Sequence, residues 1–138
     1  MNKYLKKIST LLLMCFCCYT YGQDFLVSDA DFKQVVNNSD PFEDGASGII
    51  VVEFWADFNR KGEFKDWEKL VGVKYYRADI SKVPNAASKY KVMSIPHVLI
   101  FKVGYVEQEY KAGITLKLSV TVEEIQKKVD ELIEASKF

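Results

Sequence analysis

Residues 49–62 read IIVVEFWADFNRKG, and this stretch decides the fold. It begins with four β-branched residues and continues after Glu53 with an aromatic pair. A continuous apolar run of this length, bounded by glycine on one side and polar residues on the other, predicts a strand buried on both faces. Glu53 lies in the middle of that strand, and a buried carboxylate needs either a partner or a proton.

The same stretch resembles the thioredoxin family, whose central strand carries a buried acid followed by Phe-Trp-Ala, an aromatic residue and a Cys-x-x-Cys dithiol. Residues 52–58, VEFWADF, match the lead-in to that dithiol. At the dithiol position the chain has Asn59, Arg60, Lys61 and Gly62. Either these four residues replace the dithiol directly, or the dithiol loop was excised and the following helix rejoined. Both alternatives lack sulfur.

The remaining patterns predict the order β-α-β-α-β-α-β-β-α over residues 25–135. The resemblance therefore implies an α/β fold, a thioredoxin-like three-layer α/β/α sandwich around a mixed sheet of four to five strands. Two helix starts are marked by capping-box patterns, in which a Ser or Thr cap precedes an acid by three residues. The predicted strands and helices are strand 25–27, a helix after Ser28, strands 49–55 and 73–80, helix 84–91, strands 98–101 and 105–110, and a helix after Thr121.

Two further segments are predicted from apolar spacing alone. Phe64, Trp67 and Leu70 recur every three residues and predict a helix of two to three turns over 63–70. Residues 114–120, ITLKLSV, alternate strictly between apolar and polar side chains, which predicts an extended strand with one apolar face.

The first 22 residues have the pattern of a secretory signal peptide: three lysines, a short apolar run and a small residue before a cut ahead of Gln23. The predicted organisation is a signal peptide at 1–22 and one thioredoxin-like domain at 23–138, exported to the periplasm or secreted. All three cysteines, Cys15, Cys17 and Cys18, lie in the segment expected to be removed. A lipid anchor on Cys18 is the alternative, and membrane contact is expected only in that case.

Charge and composition limit the classes of partner and ligand that we expect for this chain. Without residues 1–22 the chain has 16 basic and 19 acidic residues, and no basic stripe suggests nucleic acid. His97 is the only histidine, so no metal site is expected among the scattered carboxylates, and no cofactor is predicted. His97 is expected to be a packed or hydrogen-bonded strand residue.

The resemblance implies roles for several residues. Glu53 matches the family's buried acid, and Arg77 aligns with a basic residue near it, so the two are expected to form a buried ion pair in which Arg77 keeps Glu53 ionised. Residues 59–62 form either an anion site or a solvated helix start with Asn59 as its cap.

Ser94-Ile95-Pro96 resembles the family's cis-proline segment. In thioredoxins this segment holds extended peptides, and the aromatic residues beside the dithiol flank the same groove. The resemblance therefore implies a candidate binding surface formed by Trp55, Phe58, Ile95 and Pro96.

The predicted function is that of a redox-inactive, exported thioredoxin-like protein, not an enzyme, that binds a protein or extended peptide or serves as an accessory subunit. Thiol–disulfide exchange needs an attacking thiolate, which the mature chain would lack. Two alternatives remain: an oxidoreductase-related protein that uses a partner's cysteines, and a lipid-anchored structural subunit.

Overall fold

A mixed five-stranded sheet forms the centre of the molecule, in the order β1-β3-β2-β4-β5. The structure, a computed structural model, describes residues 24–38 and 47–138. β1, β3 and β2 are parallel neighbours, whereas β4 is antiparallel to β2 and β5 is antiparallel to β4. The elements are β1 (Asp24–Leu26), α1 (Asp29–Asn37), β2 (Ile49–Trp55), β3 (Lys74–Asp79), α2 (Pro84–Lys89), β4 (His97–Lys102), β5 (Tyr105–Lys111) and α3 (Val122–Glu134).

The sheet has a helical layer on each face, because alternate residues of a strand point to opposite sides. One core contains Ile50, Val52 and Phe54 of β2 and packs against α1 and α2. The other contains Ile49 and Val51 of the same strand and packs against α3. The predicted α/β sandwich with a mixed sheet is thus confirmed, and β2 is buried on both faces as expected.

Both predicted helix caps are present. The Ser28 hydroxyl accepts a hydrogen bond from the Asp31 amide at the start of α1. At α3, Thr121 and Glu124 form a complete capping box, in which each side chain accepts from the other residue's amide.

The predicted helix over 63–70 is wrong. Within that range the structure has one short 3₁₀ segment, Asp66–Lys69, and another, Asp57–Gly62, precedes it. Glu63 between them has extended backbone angles, so no hydrogen-bonded ladder can run through it. Of the three apolar residues only Trp67 lies in a 3₁₀ segment, yet Phe64 belongs to the α3 core and Trp67 and Leu70 pack against it.

The predicted strand over 114–120 is also wrong, since these residues form a loop. Leu116 has a φ of 53°, in the left-handed region, and its amide closes a tight turn on the Gly113 carbonyl. A strand cannot pass through that turn. Only Leu118 and Val120 of the apolar set pack against the α3 core, while Ile114 is fully exposed.

The predicted signal peptide at 1–22 and its three cysteines lie outside the described residues. Among the helices of residues 24–38 and 47–138, none has the length and apolar character to cross a bilayer.

Candidate functional site

The candidate site lies where β2 ends and the first 3₁₀ segment begins. Asn59 is its centre, because its side-chain amide donates to the carbonyl oxygens of Ile95 at 3.1 Å and Leu116 at 3.0 Å. We call these three residues the Asn59 junction. It joins the end of β2 to the loop before β4 and the loop after β5.

The expectation that Asn59 caps a helix is therefore wrong. Ala56 is the residue before the first 3₁₀ segment, and no side chain caps that segment. Asn59 itself has non-helical backbone angles inside the segment, and its amide ties two other loops together instead.

Gly62 allows the loop after β5 to approach residues 59–62 closely. These residues stand where the resemblance places the dithiol, and we call them the degenerate dithiol position. A Cβ atom added at Gly62 would lie 2.1 Å from the carbonyl oxygen of Leu116, which is far inside van der Waals contact. Only glycine tolerates such a close backbone approach. Asn59 and Gly62 together therefore fix residues 113–120 against the end of β2.

Arg60 and Lys61 do not converge on a common point. The Arg60 guanidinium donates to the Asp57 carboxylate at 2.8 Å, and both side chains are 71% exposed. Lys61 is exposed to solvent. A neutralised arginine leaves little of the anion site considered above, and the solvated interpretation fits Arg60 and Lys61 but not Asn59 and the buried Gly62.

The four residues of the candidate binding surface differ in exposure. Phe58 is 78% exposed and Trp55 is half-buried, whereas Ile95 and Pro96 are buried. The peptide bond between Ile95 and Pro96 is cis. Because Ile95 and Pro96 are buried, side-chain contact with a partner at this surface falls mainly to Phe58. The Ile95 carbonyl already accepts a hydrogen bond from Asn59.

Glu53 is fully buried and has three polar neighbours on its own face of the sheet. Its Oε1 accepts from the backbone amide of Phe64 at 3.0 Å, and its Oε2 accepts from the Tyr75 hydroxyl. Arg77, directly opposite in the β2–β3 register, brings Nε to 3.6 Å from Oε2. Both carboxylate oxygens are thereby occupied.

Arg77 is shared between two carboxylates. Its Nη2 lies 2.8 Å from Oε2 of the partly exposed Glu63, closer than its approach to Glu53. The guanidinium also covers the ring of Trp55, with Cζ 4.1 Å from the ring centroid. Arg77 therefore connects the buried acid to the first residue after the degenerate dithiol position.

Burial raises the pKa of Glu53, and the hydrogen bonds from Tyr75 and Phe64 and the charge of Arg77 only partly offset that effect. The charge of Arg77 acts in the expected direction, toward the ionised form, but burial outweighs it, so the pKa of Glu53 lies above its ordinary value. Arg77 is a distant and shared partner, so the loss of water around a fully buried carboxyl dominates.

His97 lies in β4, fully buried, with its ring 6.0 Å from the ring of Phe54. Its Nε2 is 2.8 Å from Oε1 of Glu109, and the Lys111 ammonium lies 3.0 Å from the same oxygen. Burial lowers the pKa of His97 despite the nearby carboxylate. His97 is thus a packed strand residue, as expected from the sequence.

Three contributors to the site were missed from the sequence: Tyr75, Glu63 and Leu116. Tyr75 lies two residues before Arg77 on a predicted strand, and this spacing puts both on one face. The sequence therefore contained enough information to predict that Tyr75 lies beside Arg77. The roles of Glu63 and Leu116 depend on loop paths that no periodicity encodes. Within the described ranges, no three His, Cys, Asp or Glu side chains gather in a way that could hold a metal ion.

The fold and the buried acid beside a degenerate dithiol position define a thioredoxin-like α/β protein. Comparison with known proteins supports a family assignment, although no family model matches. The chain is 34% identical over 85 residues to a thioredoxin of Staphylococcus epidermidis, covering 56% of this chain and 73% of that protein. It is 33% identical over 99 residues to the chloroplastic thioredoxin M2 of Arabidopsis thaliana. The chain belongs to the thioredoxin family.

Coverage of the relatives is uneven. The match spans 64% of this chain but only about half, 52%, of the Arabidopsis protein. Among solved structures, a designed protein aligns with a TM-score of 0.59 and 20% identity, over 80% of this chain and 97% of that one. A chain from a study of yeast mitochondrial 1-Cys peroxiredoxin and its thiol resolving mechanism aligns with a TM-score of 0.52 and 13% identity, over 83% and 95%. These two likenesses concern the fold alone.

Proposed function

We propose that this chain is an exported, redox-inactive member of the thioredoxin family that binds a protein or peptide, or serves as an accessory subunit. Asn59 carries the proposal. It stands where the resemblance places the dithiol, and its amide is committed to two backbone carbonyls. Exchange requires an attacking thiolate, and the last cysteine in the sequence is Cys18.

Binding is expected to use side chains more than strand addition. An added strand at Ile95 would compete with the Asn59 amide for the Ile95 carbonyl. Phe58 is 78% exposed beside the junction, and exposed aromatic residues commonly anchor protein interfaces. Phe58 is therefore the first residue to test.

The redox part of the proposal is tested on protein recovered from the compartment to which it is exported. Intact mass is expected to show the loss of residues 1–22, and that protein should not accelerate insulin reduction by dithiothreitol above the uncatalysed rate. Turnover by the cysteine-free chain would contradict redox inactivity. A mass that retains residues 1–22 would contradict the export step.

The binding part is tested with a photo-cross-linking amino acid placed at position 58 or, as a control, at position 71. Phe58 and Val71 are similarly exposed, at 78% and 72%, but only Phe58 adjoins the junction. Protein adducts in envelope extracts are expected from position 58 alone. Equal adducts from both positions, or none from position 58, would reject this surface. Trp55 is a poor test position because Arg77 packs on its ring.

A further inference from the structure

Three loops meet at the Asn59 junction, and each presents one strongly exposed apolar side chain. Phe58 is 78% exposed, Met93 is 89% exposed and Ile114 is 104% exposed. Single exposed apolar residues are ordinary on protein surfaces, but neighbouring ones mark an interaction site. Whether these three are neighbours decides their meaning.

The junction holds them close together. Phe58 precedes Asn59, Met93 is two residues before Ile95, and Ile114 is two residues before Leu116. Both carbonyls lie within 3.1 Å of the same Asn59 nitrogen. Successive Cα atoms are about 3.8 Å apart, so each apolar residue is at most two such steps from the junction. The backbones of these three residues, which we call the cluster, therefore lie close together at the end of the sheet.

The same three loops are basic in an otherwise acidic chain. Residues 57–62, 91–96 and 112–118, which we call the junction loops, contain four cations and one carboxylate. The rest of residues 23–138 contains twelve cations and eighteen carboxylates. The single carboxylate of the junction loops, Asp57, is paired with Arg60.

Three lysines supply the surplus charge: Lys61, Lys91 and Lys117. All three are exposed, and within residues 24–38 and 47–138 none of them forms an ion pair. The charge of this end is therefore available to an external anionic surface.

We propose that the junction loops dock the protein onto an anionic lipid surface, with Phe58, Met93 and Ile114 entering the headgroup region and the lysines contacting lipid phosphates. Burial of apolar side chains in the headgroup region and attraction of basic side chains to anionic lipid both contribute to binding at a membrane surface. A negatively charged surface attracts the basic junction loops and repels the acidic rest of the chain, so the protein approaches such a surface with the junction loops first. The sequence-based expectation considered lipid only through Cys18, so this goes beyond it and beyond the protein-binding role.

The test measures partitioning of the purified full chain to vesicles of phosphatidylcholine alone, or with 30 mol % phosphatidylglycerol, by co-sedimentation. All variants keep the same N-terminus, verified by intact mass, so that residues 1–22 contribute equally wherever they are retained. Partitioning to the anionic vesicles is expected to exceed that to neutral vesicles and to fall with added salt.

Two variants probe the cluster, each with a matched control. Replacing Phe58, Met93 and Ile114 by Ser should lower partitioning by about tenfold or more. The control for this change is Val27→Ser, Val71→Ser and Phe138→Ser together, at exposed apolar positions outside the junction loops.

The charge variant, Lys61→Glu with Lys117→Glu, should lower partitioning on the order of 25-fold or more. Lys74→Glu with Lys127→Glu changes the net charge identically outside the junction loops and should leave most of the binding intact.

The outcomes separate the possibilities. Loss of binding in the junction variants alone supports a lipid contact. No preference for anionic vesicles, or equal losses in the controls, would overturn it. If vesicles are not bound but the Phe58 adducts with protein persist, this end is a protein interface and the lipid proposal is wrong. If vesicles are bound and no protein adducts form, it is the binding part of the proposed function that fails.

Discussion

Removal of the Glu53 carboxylate is the change with the largest expected effect on stability. In Glu53→Ala, the Phe64 amide and the Tyr75 hydroxyl each lose an acceptor, and Arg77 loses its ion-pair partner at 3.6 Å, in a site from which water is excluded. Breaking a buried pair in this way costs about 3–5 kcal/mol. Arg77 keeps Glu63 at 2.8 Å, so we expect the lower end, about 3 kcal/mol.

Glu53→Gln should be much milder, at about 1 kcal/mol. Its side-chain oxygen can accept from the Phe64 amide, and the Tyr75 hydroxyl can rotate to accept from the new NH₂ group. The remaining cost is the approach of that NH₂ group to Arg77, offset in part because no charge has to be buried.

Thermal unfolding followed by circular dichroism at neutral pH measures both changes. Glu53→Ala should lower Tm by roughly 10 °C, and Glu53→Gln by a few degrees. Glu107→Ala, which removes an exposed carboxylate from β5, is the control and should leave Tm nearly unchanged. Equal Tm values for wild type and Glu53→Ala would refute the structural role of the acid, and equal losses in Ala and Gln would refute the hydrogen-bond account.

The pH dependence of Glu53→Gln gives a second check with a definite sign. Burial raises the folded-state pKa of Glu53 above its ordinary value of 4.5, so the unfolded chain ionises first as pH rises. The contribution of Glu53 to the free energy of unfolding is therefore fully present below pH 4.5 and is lost as pH rises through the folded pKa. Glutamine does not ionise and has no such loss. The free energy of unfolding of wild type should therefore fall relative to that of Glu53→Gln between pH 4.5 and the folded pKa of Glu53. A gap that widens in favour of wild type would contradict the raised pKa.

Three further changes have defined outcomes. Asn59→Ala should lower the free energy of unfolding, measured in urea, by about 1–2 kcal/mol. It should also speed amide exchange in the loop that Asn59 holds through the Leu116 carbonyl. Unchanged exchange would show that other contacts fix this loop. Gly62→Ala should displace the same loop, because its Cβ would meet a backbone oxygen at 2.1 Å, and Gly113→Ala, with nothing within 4 Å, is the matched control that should have little effect. Burial lowers the folded pKa of His97, so its contribution to stability should be present above pH 6.5 and lost as pH falls through the folded pKa; His97→Gln should remove that dependence, and an identical pH profile would contradict it.

Much of the scaffold was predictable because its signals are local. The buried run of β2 and the caps at Ser28 and Thr121 each depend on residues within a few positions of one another. The pairing of Glu53 with Arg77 was reachable too, because neighbouring parallel strands carry paired residues on the same face of the sheet.

The loops were not predictable, because distant groups decide their paths. The alternation of 114–120 has the period of a strand, yet Leu116 adopts a left-handed conformation, with its carbonyl held by Asn59 and resting against Gly62. The helix expected over 63–70 fails to form because Glu63 has non-helical backbone angles, and the adjacent Phe64 amide bonds to Glu53. In both places a long-range hydrogen bond accompanies the departure from the local pattern.

The hydrogen bond from the Phe64 amide gives Glu53 a structural role that does not involve a cysteine. The acid binds the Phe64 amide, Arg77 binds the neighbouring Glu63, and the two contacts fasten the chain immediately after the degenerate dithiol position to β2 and β3. A chain with Asn59 to Gly62 at this position has to close this end of the sheet and to place Arg77 against Trp55. The acid, the arginine and the tryptophan therefore form one structural unit, and keeping them requires no remaining redox chemistry.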